Sequence, residues 1–586
     1  MADHATKLDK RSIGDMLGRL AFAAELTGDE SLNAQGLSAA AWTLRSIDGD
    51  LVELVKNGEL AKRRDLVKDA VRAITELVET GQVQALARLE GEIPSGLFDV
   101  RKVKGLGPKK VRALWKDLGV TSLGELEYAC NENRLVELKG FGKKTQENVR
   151  QAIADVRQRE GRHRLDRAHA LAAPVVDALR AAGLTASLAG AARRNLDIVD
   201  DVVVVTAGAA AAVDVALAPL APPAGDDADD ASTTDASARR VGAVRVSRVP
   251  DGESFATHLL FETGSEAHLA LLVERARARG LTLVRAGLTK SGAPVEITSS
   301  DDDGVYRALG LVPTEPERRE EGVPLVDEGQ ARPRLVELAD LKGALHNHTT
   351  ASDGTASLDE MRRAAAARGL AYLAITEHSE TAAYAGGLTK ERIAAQRAEI
   401  AKLNADGACP CVLVCGIESD ILKDGALDYD DETLSSLDVV VASVHQRYGL
   451  DGAETTARLS RAARHPTTDV IGHPTGRLIL GRKGVEIDID RFLSACSEAR
   501  TVVELNGNPA RLDLSDVHLA RAKEHGVLVS ISADAHSTDA LDHLRYGVMV
   551  ARRAGLTPDD VLNTRPLDEV QRILAERRAH RRALAP

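Results

Sequence analysis

From about residue 341 to its end, the chain alternates short apolar runs with longer Ala-, Leu- and Arg-rich stretches of helical period. One run opens at Leu345, and six more follow at 371–375, 411–417, 439–444, 469–471, 501–505 and 527–533. Runs of this length, separated by helical stretches, predict alternating β and α units around a parallel sheet or barrel. The pattern upstream is different. Residues 1–90 read as amphipathic helices, with apolar periodicity over 12–26, 37–49 and 66–79, and a Pro-marked passage at 93–96 ends them. The middle, 161–320, mixes a helix around 164–182, a strand at 198–206, further ordered pattern over 241–249 and more through 255–288. With 586 residues the chain is too long for one core. The predicted class is multidomain α/β, with an α-helical start, an α+β middle and a β/α barrel at the end.

The apolar runs of the last part deliver metal-type side chains at or just past their C-terminal ends. His346 and His348 follow the first, with Asp353 in the loop behind; His378, Glu418, His445 and His473 follow the next four; Asp534 and His536 follow the last. Only the 501–505 run ends without such a ligand, giving Asn506-Gly507-Asn508-Pro509. In parallel barrels the chemistry sits at the C-terminal ends of the strands. A lone His or Asp there is more often a satisfied polar group, but nine at one end of one pattern predict a site. Six imidazoles with three carboxylates suit Zn²⁺, Mn²⁺ or Fe²⁺ better than Ca²⁺ or Mg²⁺, which prefer oxygen shells. His465, His518, His525, His543 and His580 have no partner pattern and read as surface residues.

Residues 91–160 carry a repeated frame. Val103-Lys104-Gly105-Leu106-Gly107-Pro108-Lys109-Lys110 is followed by Leu138-Lys139-Gly140-Phe141-Gly142-Lys143-Lys144. In each, a Gly-x-Gly turn precedes a lysine-bearing helix start, where backbone N–H groups can approach a phosphate. One copy could be a helix cap glycine; two in the same frame predict helix-hairpin-helix motifs, which grip the DNA backbone without reading sequence.

Composition narrows the picture. A formal charge of −12 excludes a wholly basic nucleic-acid coat, so DNA contact must be local. Five cysteines form neither a paired framework nor a C-x-x-C knuckle, no apolar run reaches about 18 residues, and the expected location is the cytoplasm, on the nucleoid when DNA-bound. The Pro-, Asp- and Ser-rich insert at 222–237 reads as solvated and flexible.

The strand-end pattern of residues 341–586 resembles the PHP (polymerase and histidinol phosphatase) family, a distorted seven-stranded β/α barrel. The resemblance implies His346, His348, Glu418 and Asp534 around one ion, Glu418, His445 and His473 around a second, and Asp353, His378 and His536 around a third. Glu377 stands where the family has Asp and is not expected to be a ligand. With the hairpins ahead of it, and with Thr263-Gly264-Ser265, Tyr306-Arg307-Ala308-Leu309-Gly310-Leu311 and Pro333-Arg334-Leu335-Val336 between, the whole chain resembles bacterial family X DNA polymerases (PolX). That resemblance implies a polymerase-like small domain at 1–90, fingers-like hairpins at 91–160, a palm and thumb at 161–320, a linker at 321–340 and the PHP part at 341–586.

The palm departs from that family. Two-metal nucleotidyl transfer needs three carboxylates within reach of both ions, and the resemblance implies two of them as Asp-x-Asp on one strand with a Gly-Ser turn upstream. Here the turn reads Gly190-Ala191, the strand reads Val199-Asp200-Asp201-Val202, and the third carboxylate falls near Arg245. A shifted frame using Asp197 or Asp200 is the alternative. In the small domain, the glycine turn is lost around Lys62-Arg63-Arg64, so lyase activity is not expected.

The leading expectation is a DNA-binding, metal-dependent phosphoesterase with two or three Mn²⁺ or Zn²⁺ ions, Fe²⁺ being a third option. It would act as a 3′-5′ exonuclease or 3′-end processor in repair, on gapped, nicked or 3′-ended DNA, with polymerase activity lost. A metal-bound hydroxide would attack, and Arg477 and Arg511, behind their strands, would clamp the phosphate. The alternatives are a working gap-filling polymerase with PHP proofreading, a small-molecule phosphatase of the histidinol-phosphate kind and a non-catalytic DNA-binding scaffold.

Overall fold

The computed structural model describes residues 10–44, 47, 51–131, 134–138, 140–159, 161–220, 238–297, 301–446, 450–480 and 483–584. The insert expected at 222–237 lies outside them. The chain divides into two compact units, 1–160 and 161–586.

The first unit is helical. Ile13, Leu17, Leu20 and Ala24 recur at helical spacing along Lys10–Thr27 and turn one face inward, against Ala34–Thr43, Gln84–Glu92 and Pro108–Leu118. One apolar core runs from Ile13 to Val156. The boundary expected at residue 90 therefore does not separate two cores, because helices this short are stable only when they share a buried face.

In the second unit, residues 161–320 begin with a four-stranded sheet in the order Thr185–Ala189, Val202–Ala207, Val244–Val249, Ala238–Val241. Helix Leu165–Ala181 covers one face through Ala168, Ala172 and Leu179, and Leu259 of helix Phe255–Thr263 covers the other against Val203 and Val205. The strand expected over 198–206 is broken. Ile198–Val199 pairs with His163–Arg164 in a separate ladder, and only Val202–Ala207 joins the main sheet. Asp200 and Asp201 occupy the bend between them, where both carboxylates remain partly in solvent.

In the stretch expected to be a linker, 321–340, most residues are exposed and Leu335 and Val336 are buried. Val336 is fully buried, and its N–H donates to Leu556 O at 3.0 Å.

The last part is a parallel barrel of seven strands paired in chain order: β1 Gly343–Ala344, β2 Tyr372–Ile375, β3 Val412–Asp420, β4 Val439–Ser443, β5 Val470–Gly472, β6 Val502–Asn506 and β7 Val529–Ser532. A parallel bridge between Asn347 and Ala535 nearly closes it. Alternation along each strand sends one set of residues to the helices and the other into the lumen. Tyr372, Ala374, Val414, Val439, Val441, Val470 and Val502 fill the lower lumen. Helix α1, Leu567–Leu584, plugs the base with Val570 and Leu574, and its Arg578 and Arg581 pair with the buried Asp469. With the base filled, only the C-terminal mouth is left for chemistry.

Candidate metal centre

The lumen alternation that is apolar at the base turns polar at the mouth. On β3, Val414 is followed on the same face by Gly416, Glu418 and Asp420; on β6, Val502 is followed by Glu504 and Asn506. His346 and His348 lie just past β1, His378 past β2, His445 past β4, His473 directly after β5, and Asp534 and His536 past β7. Asp534 has φ +50°, a left-handed conformation that turns its carboxylate back over the barrel axis. Gly472 is required by crowding: a Cβ there would meet Ser443 Oγ at 2.3 Å and Val441 at 2.9 Å, beside the Glu504 carboxylate.

All nine expected residues converge. Four overlapping groups each place one donor atom per residue within 4.8 Å of the others: His348, Asp353, His378 and His536; His346, Glu418 and His473; His346, His348 and Asp534; and His378, Glu418 and His445. This partition differs from the implied one. His378 reaches Glu418 at 2.8 Å as well as Asp353 at 3.3 Å, so it stands between two groups, and His473 groups with His346 rather than with His445. Among the described residues every such group lies in the barrel mouth.

The donor set fits divalent transition ions. His346 Nε2 and both ring nitrogens of His348 are buried without a hydrogen-bond partner. Yet His348 Nε2 faces Asp534 Oδ1 at 3.2 Å, and His346 Nε2 faces Glu418 Oε1 at 3.3 Å. Buried imidazoles and carboxylates that face one another without hydrogen-bond geometry are what a coordinated cation, replacing a proton, satisfies.

Carboxylates behind the rings orient them. His346 Nδ1 lies 2.7 Å from Glu504 Oε1, and Glu504 Oε2 accepts the His473 backbone N–H at 2.7 Å. His445 Nδ1 makes a short contact with Asp420. Glu377 is no member of the four groups; fully buried, it accepts from Thr349 N, Gln396 Nε2 and the hydroxyls of Thr349 and Ser352, fixing the turn that carries Asp353. Such outer partners set the ring tautomer. Sequence reasoning passed over Glu504 and Asp420, and read Asn506, whose Nδ2 donates to Asp534 Oδ2 at 3.0 Å, only as a run end without a metal ligand. The signal was their lumen parity with Val502 and Val414.

Charge in the mouth is strongly coupled. Burial depresses His348 to about 3, so its ring stays neutral, with one N–H and one nitrogen lone pair. Burial also works against protonation of His378 and His445, but Glu418, with Asp353 or Asp420, outweighs it and lifts them to about 10 and about 9. Burial would raise Glu418 and Asp534, yet the surrounding imidazoles hold both well below the usual carboxylate range. Protons on those rings therefore do the neutralising that cations otherwise do.

Arg477 is not free to clamp a phosphate. Its Nε donates to Arg511 O at 2.9 Å, one terminal nitrogen to Leu512 O, and Nη1 pairs with Asp197 at 3.0 Å. Arg511 Nε lies 3.6 Å from Asp534 Oδ2 and borders the site. The five histidines expected on the surface are all half-buried: His465, His525 and His543 sit at helix ends, and His518 and His580 lie within helices. His580 Nε2, for example, lies 2.9 Å from Glu498 O.

The palm presents a different arrangement. Arg245 Nε lies 2.6 Å from Asp201 and its Nη2 3.0 Å from Glu262, whose other oxygen takes Arg285 at 2.5 Å. Asp200 points away to Arg162 at 2.6 Å. Gly190, at φ +63°, opens the short helix Gly190–Arg193, on which Ala191 is half-buried.

In the helical unit, Gly105 and Gly140 have φ +90° and +91° with open space beyond, while Leu106 and Phe141 plug into the core. Helices Pro108–Leu118 and Lys143–Arg159 start directly after Gly107 and Gly142, and Lys109, Lys143 and Lys144 lie exposed at those starts, with Lys110 half-exposed beside Lys109. Lys110 Nζ donates to Gly105 O at 3.1 Å.

Comparison with known proteins places these parts. A SAM-like tandem helix-hairpin-helix model matches residues 98–155, a DNA polymerase beta thumb model 258–320 and a PHP domain model 344–508. The barrel is similar to a probable phosphatase of Caldanaerobacter subterraneus, 28% identical over 250 residues, 40% of this chain and 91% of that protein. A probable phosphatase of Syntrophotalea carbinolica is 24% identical over 230 residues, 37% of this chain and 90% of its own length. A DNA polymerase/3′-5′ exonuclease PolX of Bacillus subtilis is 34% identical over 579 residues, covering 97% of this chain and 99% of the relative. Hairpins, thumb and metal-ready barrel thus occur here in one order over nearly full length, and the chain belongs to the PolX family.

Proposed function

We propose that this protein hydrolyses phosphoesters at DNA 3′ ends in its barrel and does not extend primers. The observation that carries the reading is the contrast between the buried, unpartnered ring nitrogens of His346 and His348, which face Glu418 and Asp534 at 3.3 and 3.2 Å, and the guanidinium-filled acidic pocket at Arg245. Divalent ions held by His346, His348, Asp353, His378, Glu418, His445, His473, Asp534 and His536 would lower the pKa of a bound water and neutralise phosphoryl oxygens. Glu504 and Asp420 hold the rings of His346 and His445 from behind. Arg511, beside Asp534, is placed to receive the phosphate of an incoming 3′ end. Exposed Lys109, Lys143 and Lys144 supply sequence-independent affinity for the DNA backbone.

In the palm, Arg245 is a fixed cation between Asp201 and Glu262, where nucleotidyl transfer would need exchangeable ones. The test is a 5′-labelled primer–template incubated with Mn²⁺-loaded protein, then with all four dNTPs. The primer shortens, or loses a 3′-phosphate, and never lengthens. Template-directed extension sinks the reading, and so does failure to retain more than one ion per chain after loading.

A further inference from the structure

We infer that Arg477 is a positioning residue for the barrel chemistry and that Asp197, from the palm, holds it in place. The palm would thereby set the geometry of the phosphate-facing side of the barrel mouth. This rests on reading the barrel as a phosphoesterase.

Two loops carry that side of the mouth. One follows His473 at the end of β5; the other follows β6 and carries Arg511. Asp513, fully buried, ties the first to the second: its carboxylate accepts Thr475 N at 3.1 Å, Thr475 Oγ1 at 2.9 Å and Gly476 N at 2.8 Å. Arg477 makes the other tie, reaching back from the first loop to the carbonyls of Arg511 and Leu512. Leu512, at φ +43°, sits in a left-handed conformation that needs such support. Arg477 therefore grips the backbone of the residue whose side chain borders Asp534.

Its remaining nitrogen, Nη1, is spent on Asp197 at 3.0 Å. Asp197 is itself anchored. Its carbonyl accepts Leu165 N at 3.3 Å, and the neighbouring Arg194 carbonyl accepts Arg553 Nη1 at 2.8 Å. Arg553 also pairs with Asp516 at 2.8 Å, at the start of the helix Asp516–Glu524 that follows the Arg511 loop. The palm turn thus meets the barrel at two points, and the Asp197–Arg477 contact reaches the Arg511 backbone. A fully engaged guanidinium is more rigid than a solvated one, and rigidity is what a phosphate contact needs.

The test uses full-length, Mn²⁺-loaded protein and a 3′-ended primer–template. Asp197→Ala is expected to raise KM roughly fivefold with kcat changed less than about twofold, as for loss of ground-state phosphate binding. Asp197→Glu should recover most of the loss, and in an Arg511→Gln background Asp197→Ala should add nothing. A full-sized loss in that background, or a fall in kcat alone, overturns the inference. Hydrogen exchange over 508–512 needs no turnover: faster exchange in both Asp197→Ala and Asp197→Asn supports the bracket, and unchanged protection overturns it. If the protein hydrolyses no phosphoester, the functional reading fails while the exchange result still decides the Asp197–Arg477 link.

Discussion

The barrel mouth and the palm pocket both gather carboxylates, but they neutralise them differently. Around Glu418 and Asp534 the partners are imidazoles, which can give up a proton and offer a lone pair to a cation. Around Asp201 and Glu262 the partners are the guanidiniums of Arg245 and Arg285, which never deprotonate and offer no lone pair. The first arrangement can exchange its protons for cations. The second is already filled, and a metal ion would have to expel a fixed charge. An acidic cluster becomes a metal site only if its resident counter-charge can leave.

The strongest challenge to this contrast is removal of one barrel ligand. Asp534→Ala or His348→Ala should lower 3′-end hydrolysis by on the order of a thousandfold or more, as expected when a clustered metal site loses a ligand. DNA binding by the hairpins should persist in a gel-shift assay of the same variants. Substituting Asp200 or Asp201 should leave the hydrolysis rate unchanged. A barrel variant that keeps its activity would move the chemistry elsewhere.

Next in size is the DNA grip. Lys109→Glu combined with Lys143→Glu should weaken binding to all sequences alike and flatten the slope of log K against log salt by roughly 2, about 0.9 per lost phosphate contact. Fluorescence anisotropy at several salt concentrations reads this directly, and an unaltered slope would place the DNA on another surface.

Arg245→Ala sharpens the other half of the comparison. Glu262, whose side chain is only 9% exposed, would lose one of its two guanidinium partners, at a cost of about 1–3 kcal/mol. Chemical denaturation should record that loss, with barrel hydrolysis per folded molecule unaffected. Primer extension should remain absent, because Asp200 still points to Arg162.

The last effect concerns acid stability away from both sites, and it vanishes at neutral pH. His268 is fully buried, with Nε2 2.7 Å from the Tyr306 hydroxyl; burial, helped by Arg319 and Arg332, depresses it to about 4. Its folded pKa is below its unfolded value, so the unfolded chain takes up the proton first. The stabilisation is present above about pH 6.5 and is lost as pH falls toward about 4, to a limit on the order of 3 kcal/mol. His268→Gln should flatten the melting temperature against pH over that window, and an unchanged profile would assign the acid sensitivity to another group.

Much of the barrel site was legible because a strand's end is a fixed place in a parallel barrel. A His or Asp directly after an apolar run such as 439–444 or 527–533 has nowhere to go but the mouth. The hairpin turns were legible for a similar reason, since Gly105 and Gly140 adopt φ values that other residues rarely hold. Local rules of this kind survive any tertiary arrangement. What the sequence could not determine depends on which side chains meet across the fold. Arg477 looked like a phosphate ligand until Asp197 and the carbonyls of Arg511 and Leu512 were seen to occupy it, 34 residues and more away in the chain. Glu504 looked like an ordinary strand residue until β6 lay in register beside β5 and turned it toward His346, 158 residues earlier. Nor could composition divide the helical unit, because whether two sets of helices share one core depends on their docking. Residue type and spacing determined which groups the protein could bring to its site; only long-range packing decided which were left with a lone pair or a charge to spare.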